Sequence, residues 1–165
     1  GALRGAMTAY PSILNVHATG GEEMMKTAVA TVEEYAVKMS CRKPLLIAVT
    51  MLTSLDSADL HNLGSSDAPQ KHVTRLAKLS QDCGLDGVVC SALEINAVRQ
   101  VCGNSFKLIV PGIRLEGNEM GDQKRTLTAK QAIENGADYI VIGRPITSAA
   151  DPIAAVRAIN STLSI

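Results

Sequence analysis

Two short stretches place residue types that bind phosphate at the end of an apolar run. In "VIGRP" (141–145), the run ends at Ile142 and is followed by Gly143, Arg144 and the start of a new helix. Glycine lets a ligand approach the backbone, N–H groups at a helix start point outward, and arginine donates paired charge-assisted hydrogen bonds to an anion. This order of residues predicts a phosphate contact at Gly143 and Arg144.

The second stretch is "PGIR" (111–114), which follows the apolar run "FKLIV". A polar loop over 112–126 comes next, with donors at Arg114 and Gln123 and glycines at 117 and 121, a composition typical of a closing loop. A lone Gly-Arg pair is also compatible with a helix-opening turn whose arginine is solvated. Two strand ends of this kind in one chain favour a phosphate site.

His17 and two glutamate pairs are weaker candidates for chemistry. His17 ends the apolar run "SILNVHA", where a general base could lie, but a histidine hydrogen-bonded in place near the sheet rim is the more ordinary interpretation. The pairs at 22–23 and 33–34 are typical of helix-surface charge, and the first pair suits the positive end of a helix dipole.

Five short apolar runs must position these residues. They are "SILNVHA" (12–18), "PLLIAVT" (44–50), "DGVVC" (86–90), "FKLIV" (106–110) and "DYIVIG" (138–143). Runs that are apolar on both faces indicate strands of a parallel sheet covered on both sides. Helical patterns separate the runs, so the chain alternates strand and helix. This order predicts an α/β fold with parallel strands, either an open doubly wound sheet or a (β/α) barrel.

The helical patterns have recognisable faces and ends. In the first long helix one face is predicted to comprise Met24, Ala28, Val32, Tyr35 and Met39. In the last helix Asp151 is the predicted N-cap and Pro152 occupies the first turn. The polar stretch "NLGSSDAPQ" (62–70) is predicted to be a surface loop.

Composition narrows the class of protein. The 165 residues are predicted to form a single domain (1–165) with an aliphatic core, since 46% are hydrophobic and 2% aromatic.

The charges of the sixteen basic and sixteen acidic residues cancel, which argues against a nucleic-acid or membrane partner. The four cysteines show no CxxC spacing and the three histidines are scattered, which predicts reduced thiols, no metal site and a cytoplasmic location. The first residues resemble the middle of a helix, so we expect a fragment.

Six motifs, in order, carry a resemblance to a known family. They are "LNVHATGG", "PLLIAVTMLTS", "CGLDGVVCSALE", "LIVPGIRLEG", "GDQKRTLT" and "GADYIVIGRPIT". Together they resemble bacterial-type orotidine 5′-phosphate decarboxylases over nearly the whole chain. The resemblance implies a homodimeric (β/α)8 TIM barrel that converts orotidine 5′-monophosphate to uridine 5′-monophosphate (UMP) and CO2 in de novo pyrimidine biosynthesis. It also implies that no cofactor or metal takes part.

The same resemblance assigns substrate contacts motif by motif. Gly143 and Arg144 match the family's phosphate clamp, and Thr53 of "LTS" matches a contact to the nucleotide. Pro111 and Arg114 of "PGIR" match contacts at the end of a strand. Gln123 of "GDQ" matches the side chain that reaches the phosphate and the pyrimidine from the closing loop.

The sequence departs from the family at the residues of the chemical step. Family members carry a Lys-Asp-Lys-Asp array, much of it in a "DLKxHDIPNT"-type motif on strand 3, and no such motif occurs here. A barrel of this type needs about 250 residues, so the five units match its last five and strands 1–3 are lacking. We therefore assign no catalytic residue.

Two alternatives remain open at this point. One is a catalytically inactive fragment or remnant that at most binds a nucleotide phosphate. The other is a different phosphate-binding barrel enzyme, such as an epimerase or a sugar-phosphate decarboxylase, against which "VTMLTS" and "PGIR…GDQ" argue.

Overall fold

Five parallel strands form the centre of the structure, a computed structural model that describes residues 1–113 and 127–163. The strands lie side by side in chain order, each parallel to the one before it. They are β1 (Ile13–His17), β2 (Leu45–Val49), β3 (Gly87–Val89), β4 (Lys107–Val110) and β5 (Tyr139–Ile140). The predicted α/β fold with parallel strands is confirmed.

Helices connect and flank these strands. They are α1 (Ala2–Met7), α2 (Gly21–Lys38), α3 (Ser57–Asn62), α4 (Pro69–Asp82), α5 (Ile95–Cys102), α6 (Ala129–Glu134), α7 (Arg144–Thr147) and α8 (Pro152–Thr162). The predicted cap of α8 is confirmed, because the Asp151 carboxylate accepts from the Ala154 N–H at 3.0 Å. None of the helices in the described ranges is long and apolar enough to cross a membrane.

Helix α3 was not predicted, because it is too short to show an apolar period. Its start is fixed instead by reciprocal capping: the Asp56 carboxylate accepts from the Ala58 and Asp59 N–H groups, and the Asp59 carboxylate accepts from the Asp56 N–H. Leu60 anchors the helix in the core with 3% of its surface exposed.

The main core lies between the sheet and the helices. Alternate strand residues face it, among them Leu46 and Ala48 of β2, Val88 of β3, and Leu108 and Val110 of β4. The predicted aliphatic character is confirmed, since Phe106 is the one aromatic residue among the fully buried core positions of the described chain.

One face prediction for α2 is wrong in part. The buried residues of α2 are Met25, Ala28, Val32 and Ala36, whereas Met24 and Tyr35 are only partly buried. Met39 lies outside the helix as its C-cap and is 44% exposed. The core face is therefore rotated by one residue from the predicted face at its start, and it ends one turn earlier.

A Gly-x-Asp sequence occurs twice and joins neighbouring strands in the same way each time. Asp86 precedes β3, and its carboxylate accepts from the Leu46 N–H at 2.8 Å while its own N–H donates to the Leu46 carbonyl. Asp138 precedes β5 and makes the same two bonds to Leu108. Each aspartate thus extends the pairing of its strand by one residue toward the amino-terminal edge of the sheet.

Asp138 has the denser set of partners of the two. Its carboxylate accepts from Arg99 at 2.6 Å and from Lys107 at 2.8 Å, and the same Arg99 also donates to the Gly136 carbonyl. Burial by itself raises the pKa of Asp138, but the hydrogen bonds from Lys107, the Leu108 backbone and Arg99 outweigh it and hold that pKa below its usual value. At Asp86 the one ion-pair partner among the described residues is Lys43, at 3.6 Å.

The two outer strands are less covered than the three inner ones. No residue of β1 or β5 is buried, whereas β2, β3 and β4 each contain at least two buried residues. Strand β5 is also shorter than the predicted run 138–143. Its only described neighbour is β4, so pairing fades after the bond from the Val141 N–H to the Val110 carbonyl.

Candidate functional site

The carboxyl ends of the five strands lie at one edge of the sheet. The register places His17, Val49, Val89, Ile109 and Tyr139 in one row across the sheet. The segments that follow these residues therefore meet at the same edge, where parallel α/β proteins bind their ligands.

Two threonines follow β2. The Thr50 hydroxyl donates to the Val89 carbonyl at 2.7 Å, so this side chain joins β2 to β3 at their carboxyl ends. Thr50 is buried, with 4% of its surface exposed. Thr53, a predicted nucleotide contact, lies three residues further on and is 9% exposed. The structure therefore places Thr53 at the expected edge.

Strand β3 is followed by a buried cysteine and a buried acid. Burial raises the pKa of Cys90 to about 12, so this thiol stays protonated and is a poor nucleophile. Glu94 is 2% exposed, and its carboxylate accepts from the Ser91 N–H at 2.9 Å in a capping box. Sequence reasoning missed this buried polar group, although the Ser-x-x-Glu spacing of 91–94 was the available signal.

Strand β4 leads into the predicted phosphate loop. Pro111 is partly buried, Gly112 has a positive φ of 76°, and Ile113 is 3% exposed. The left-handed backbone at Gly112 turns the chain sharply at the end of the strand. Arg114 and Gln123 lie outside the described residues, so their predicted roles stay predictions.

Strand β5 leads to the Gly-Arg pair. Gly143 is the N-cap of α7, and its carbonyl accepts from the Ile146 and Thr147 N–H groups at 2.8 and 3.0 Å. Gly143 and Arg144 are both exposed, and among the described residues no neighbouring heavy atom lies within 4 Å of the position that a Cβ on Gly143 would occupy. A ligand could therefore reach the backbone here without displacing any atom of the described residues.

His17 is exposed at the end of β1. Within the described residues no hydrogen bond to its ring is found, which differs from the expected rim histidine held in place. The same part of the chain contains no group of three or more His, Cys, Asp and Glu side chains that could hold a metal ion.

The arrangement defines a class of protein before any comparison is made. It is a parallel β/α protein in which Thr53, Pro111, Gly143 and Arg144 lie in segments that follow the carboxyl ends of three strands. Proteins with this architecture bind their ligands at this edge.

The family follows from comparison with known proteins. The model of the orotidine 5′-phosphate decarboxylase / HUMPS family matches residues 6–159, and the chain belongs to this family. It is 53% identical over 151 residues to the orotidine 5′-phosphate decarboxylase of Vibrio cholerae serotype O1, covering 92% of this chain and 64% of that protein. The enzyme of the same name from Glaesserella parasuis is 49% identical over 163 residues, with 99% and 69% coverage.

A solved structure shows which architecture the five strands belong to. The crystal structure of orotidine 5′-phosphate decarboxylase from Lactobacillus acidophilus superposes with a TM-score of 0.83 at 33% identity, over 99% of this chain and 68% of that chain. The five strands thus correspond to part of a TIM barrel, and the chain spans only about two thirds of the length of the proteins it matches.

Proposed function

We propose that this chain is the nucleotide-gripping, carboxyl-terminal part of an orotidine 5′-phosphate decarboxylase and lacks barrel strands 1–3. The whole enzyme converts orotidine 5′-monophosphate to UMP and CO2 in pyrimidine biosynthesis. The observation that carries the proposal is the family match over 6–159 in a chain where Pro111 and the "VIGRP" segment follow the carboxyl ends of two neighbouring strands.

Each proposed contact has a physical basis. Gly143 offers backbone that a phosphate can approach, and Arg144 offers a charged fork for its oxygens. Thr53 and Pro111 lie at the same edge and contact the nucleoside part. Arg114 and Gln123, in the segment after β4, are proposed as further contacts to the nucleotide. No cofactor or metal is needed to bind the ligand in this scheme.

The chemical step needs groups that this sequence does not supply in the family's pattern. The bond between C6 and the carboxylate carbon breaks, the electron pair stays on C6, and a proton from the family's lysine is then taken up there. Without that lysine and the aspartates beside it, the developing charge at C6 has no preorganised partner. We therefore propose that the 165-residue chain alone binds the nucleotide but does not turn it over, since ground-state binding does not lower the barrier.

A catalytically inactive remnant that has also lost its phosphate pocket is the second candidate function. The uncovered outer strands support it, because a sheet without its remaining strands holds the site less rigidly.

A homodimer, a single domain over 1–165 and a cytoplasmic location are further proposals from the resemblance. Sedimentation of the purified chain tests the first of these.

Isothermal titration with UMP and 6-azauridine 5′-monophosphate tests the proposed nucleotide binding. We expect binding to the chain, with at least about tenfold weaker binding to the Arg144→Ala variant because a charged hydrogen bond contributes roughly 1.5–3 kcal/mol. Arg157→Ala removes a positive charge from the exposed face of α8 and is the matched control. No binding by a chain that circular dichroism shows to be folded favours the remnant.

A turnover assay with orotidine 5′-monophosphate completes the test. We expect no CO2 release above the uncatalysed background from the chain alone. Release that Arg144→Ala abolishes would contradict the proposal that the missing motif is required.

A further inference from the structure

Buried polar side chains of the described chain are concentrated after β2 and β3. Five polar or charged residues there and elsewhere have at most 9% of their surface exposed: Thr50, Thr53, Ser80, Ser91 and Glu94. Four of them lie in the segments that follow the carboxyl ends of these two strands, whereas Ser80 lies in α4. A buried polar group costs free energy unless it is hydrogen-bonded, so each of these groups is expected to have a partner.

Thr53 is the exception among these five residues. The hydroxyls of Thr50 and Ser80 each donate to a backbone carbonyl, at 2.7 and 2.8 Å. Ser91 and Glu94 belong to one capping box. The Thr53 hydroxyl makes no hydrogen bond in the part of the chain that the structure describes, although Thr53 is only 9% exposed. A ligand that hydrogen-bonds this hydroxyl would supply the missing partner.

Thr50 makes two hydrogen bonds to one acceptor on the neighbouring strand. Its backbone N–H donates to the Val89 carbonyl at 3.3 Å, which continues the pairing of β2 with β3 by one residue. Its hydroxyl donates to the same carbonyl at the shorter distance of 2.7 Å. The backbone pairing is thus at its weakest where the chain leaves β2, and the Thr50 side chain reinforces it there.

The segment between β2 and α3 is a short turn that carries Thr53. The Leu52 carbonyl accepts from the Leu55 N–H at 3.0 Å, so Thr53 lies inside this turn. The end of the turn is fixed by Asp56, which caps α3. Its beginning is fixed by the bonds from Thr50, three residues before Thr53.

We propose that Thr50 is a positioning residue for the nucleotide. Its hydroxyl, bonded to the Val89 carbonyl, holds the turn over 52–55 so that the Thr53 hydroxyl meets the nucleoside part of the ligand. Thr50 does not touch the ligand and acts through Thr53. A hydrogen bond weakens steeply when its donor or acceptor is displaced, so the position of the turn determines the strength of this contact. The inference rests on the proposed nucleotide binding.

Three variants separate positioning from stability. Thr50→Val keeps the size of the side chain and removes its donor, whereas Thr50→Ser keeps the donor and removes a buried methyl group. Ser80→Ala is the matched control, because it removes a buried hydroxyl from α4, which lies outside the proposed site. All three variants are expected to lower the thermal midpoint of unfolding, which circular dichroism measures.

Isothermal titration with UMP gives the affinities of these variants. We expect Thr50→Val to raise the Kd about fivefold to tenfold, the range of the net contribution of one hydrogen bond. Thr50→Ser and Ser80→Ala are expected to keep the wild-type Kd to within about twofold, because the hydrogen bond that holds the turn remains. A purely structural role for Thr50 predicts instead that the affinities follow the thermal midpoints. Wild-type affinity in Thr50→Val overturns the positioning role and leaves the proposed function standing.

A double-mutant cycle tests whether Thr50 acts through Thr53. In a Thr53→Val background we expect Thr50→Val to have little further effect on the Kd for UMP, since both changes remove the same contact. In an Arg144→Ala background the full effect of Thr50→Val is expected, because two strands lie between β2 and β5 and the phosphate contact is a separate one. Independent effects of Thr50→Val and Thr53→Val overturn the proposal.

Amide hydrogen exchange at Leu55 gives a readout that needs no ligand. The Leu55 N–H closes the turn by donating to the Leu52 carbonyl, so its exchange reports whether the turn is held. We expect faster exchange in Thr50→Val and wild-type exchange in Thr50→Ser and Ser80→Ala. No UMP binding by the folded wild-type chain contradicts the proposed function, and exchange at Leu55 then decides the role of Thr50 alone. Exchange that Thr50→Val leaves unchanged overturns that role.

Discussion

The inner and outer strands of this sheet differ in burial but not in apolar character. Leu46, Ile47 and Ala48 of β2 are 0–3% exposed, whereas no residue of β1 is buried although three of its five residues are aliphatic. The difference is the number of neighbours, since β2 lies between two strands and β1 beside one. The burial of a strand residue in this sheet therefore depends on whether its strand has one neighbour or two.

The outer strands also lack the usual protection of a sheet edge. Soluble proteins commonly place lysine, proline or a bulge on such strands. β1 reads ILNVH and β5 reads YI, with no proline and no lysine in either. Sequences of this kind suit strands with neighbours on both sides, so the comparison shows that the outer strands of this chain have an inner-strand composition.

Truncation of one leucine in each kind of strand tests the comparison most strongly. Leu108 of β4 has no exposed surface and Leu14 of β1 is partly buried. We expect Leu108→Ala to lower the free energy of unfolding by about 3–4 kcal/mol and Leu14→Ala by about 1 kcal/mol, because the cost follows the packing that is lost. Urea unfolding of both variants measures this, and equal losses would contradict the comparison.

A pair of glycines gives the next largest contrast. A Cβ on Gly87 in β3 would lie 2.3 Å from the Lys107 carbonyl oxygen, whereas one on Gly143 would meet nothing within 4 Å in the part of the chain that the structure describes. We expect Gly87→Ala to cost about 2–3 kcal/mol because the backbones of β3 and β4 must separate. Gly143→Ala leaves the thermal midpoint almost unchanged. A tolerated Gly87→Ala would mean that β3 and β4 can move apart freely.

The two Gly-x-Asp aspartates provide a smaller and pH-dependent contrast. We expect Asp138→Asn to cost about 2 kcal/mol near neutral pH, in the range of hydrogen bonds to charged groups. Asp86→Asn costs less, because Lys43 is 3.6 Å away and Asp138 has two closer cations.

The pH dependence follows from the sign of the pKa shift at Asp138. Its folded-state pKa is lowered, so its stabilising effect is present above the ordinary value near 3.8 and is lost as the pH falls through the folded value. Unfolding of the wild type and Asp138→Asn should therefore converge in acid. A difference that is constant from neutral pH to pH 3 would contradict the assigned role of the carboxylate charge.

The sequence predicted the fold well because strand burial leaves a strong local signal. Apolar runs such as "PLLIAVT" placed the strands, and the helical patterns between the runs placed the long helices. The short helix α3 was missed, since it is not long enough for a period to show. Met39 was misplaced because periodicity does not say where a helix ends.

The site was only partly predictable for a different reason. Gly143 and Arg144 could be selected as candidates because an apolar run ends beside residue types that bind phosphate, and their role stays a prediction. The buried Glu94 could not be found by composition, since its burial depends on tertiary packing. The aspartates that join strands were visible in the quoted motifs "CGLDGVVCSALE" and "GADYIVIGRPIT", yet their hydrogen bonds to Leu46 and Leu108 join residues 40 and 30 positions apart.

The strict order of the strands has a consequence for synthesis on the ribosome. Each strand pairs with the strand made just before it, and Asp86 and Asp138 reach back to β2 and β4 in the same direction. No pairing among the described strands waits for a later segment, so each βα unit can add to a template that has already emerged. Because such contacts close short loops, the sheet can grow stepwise during translation, from β1 toward β5.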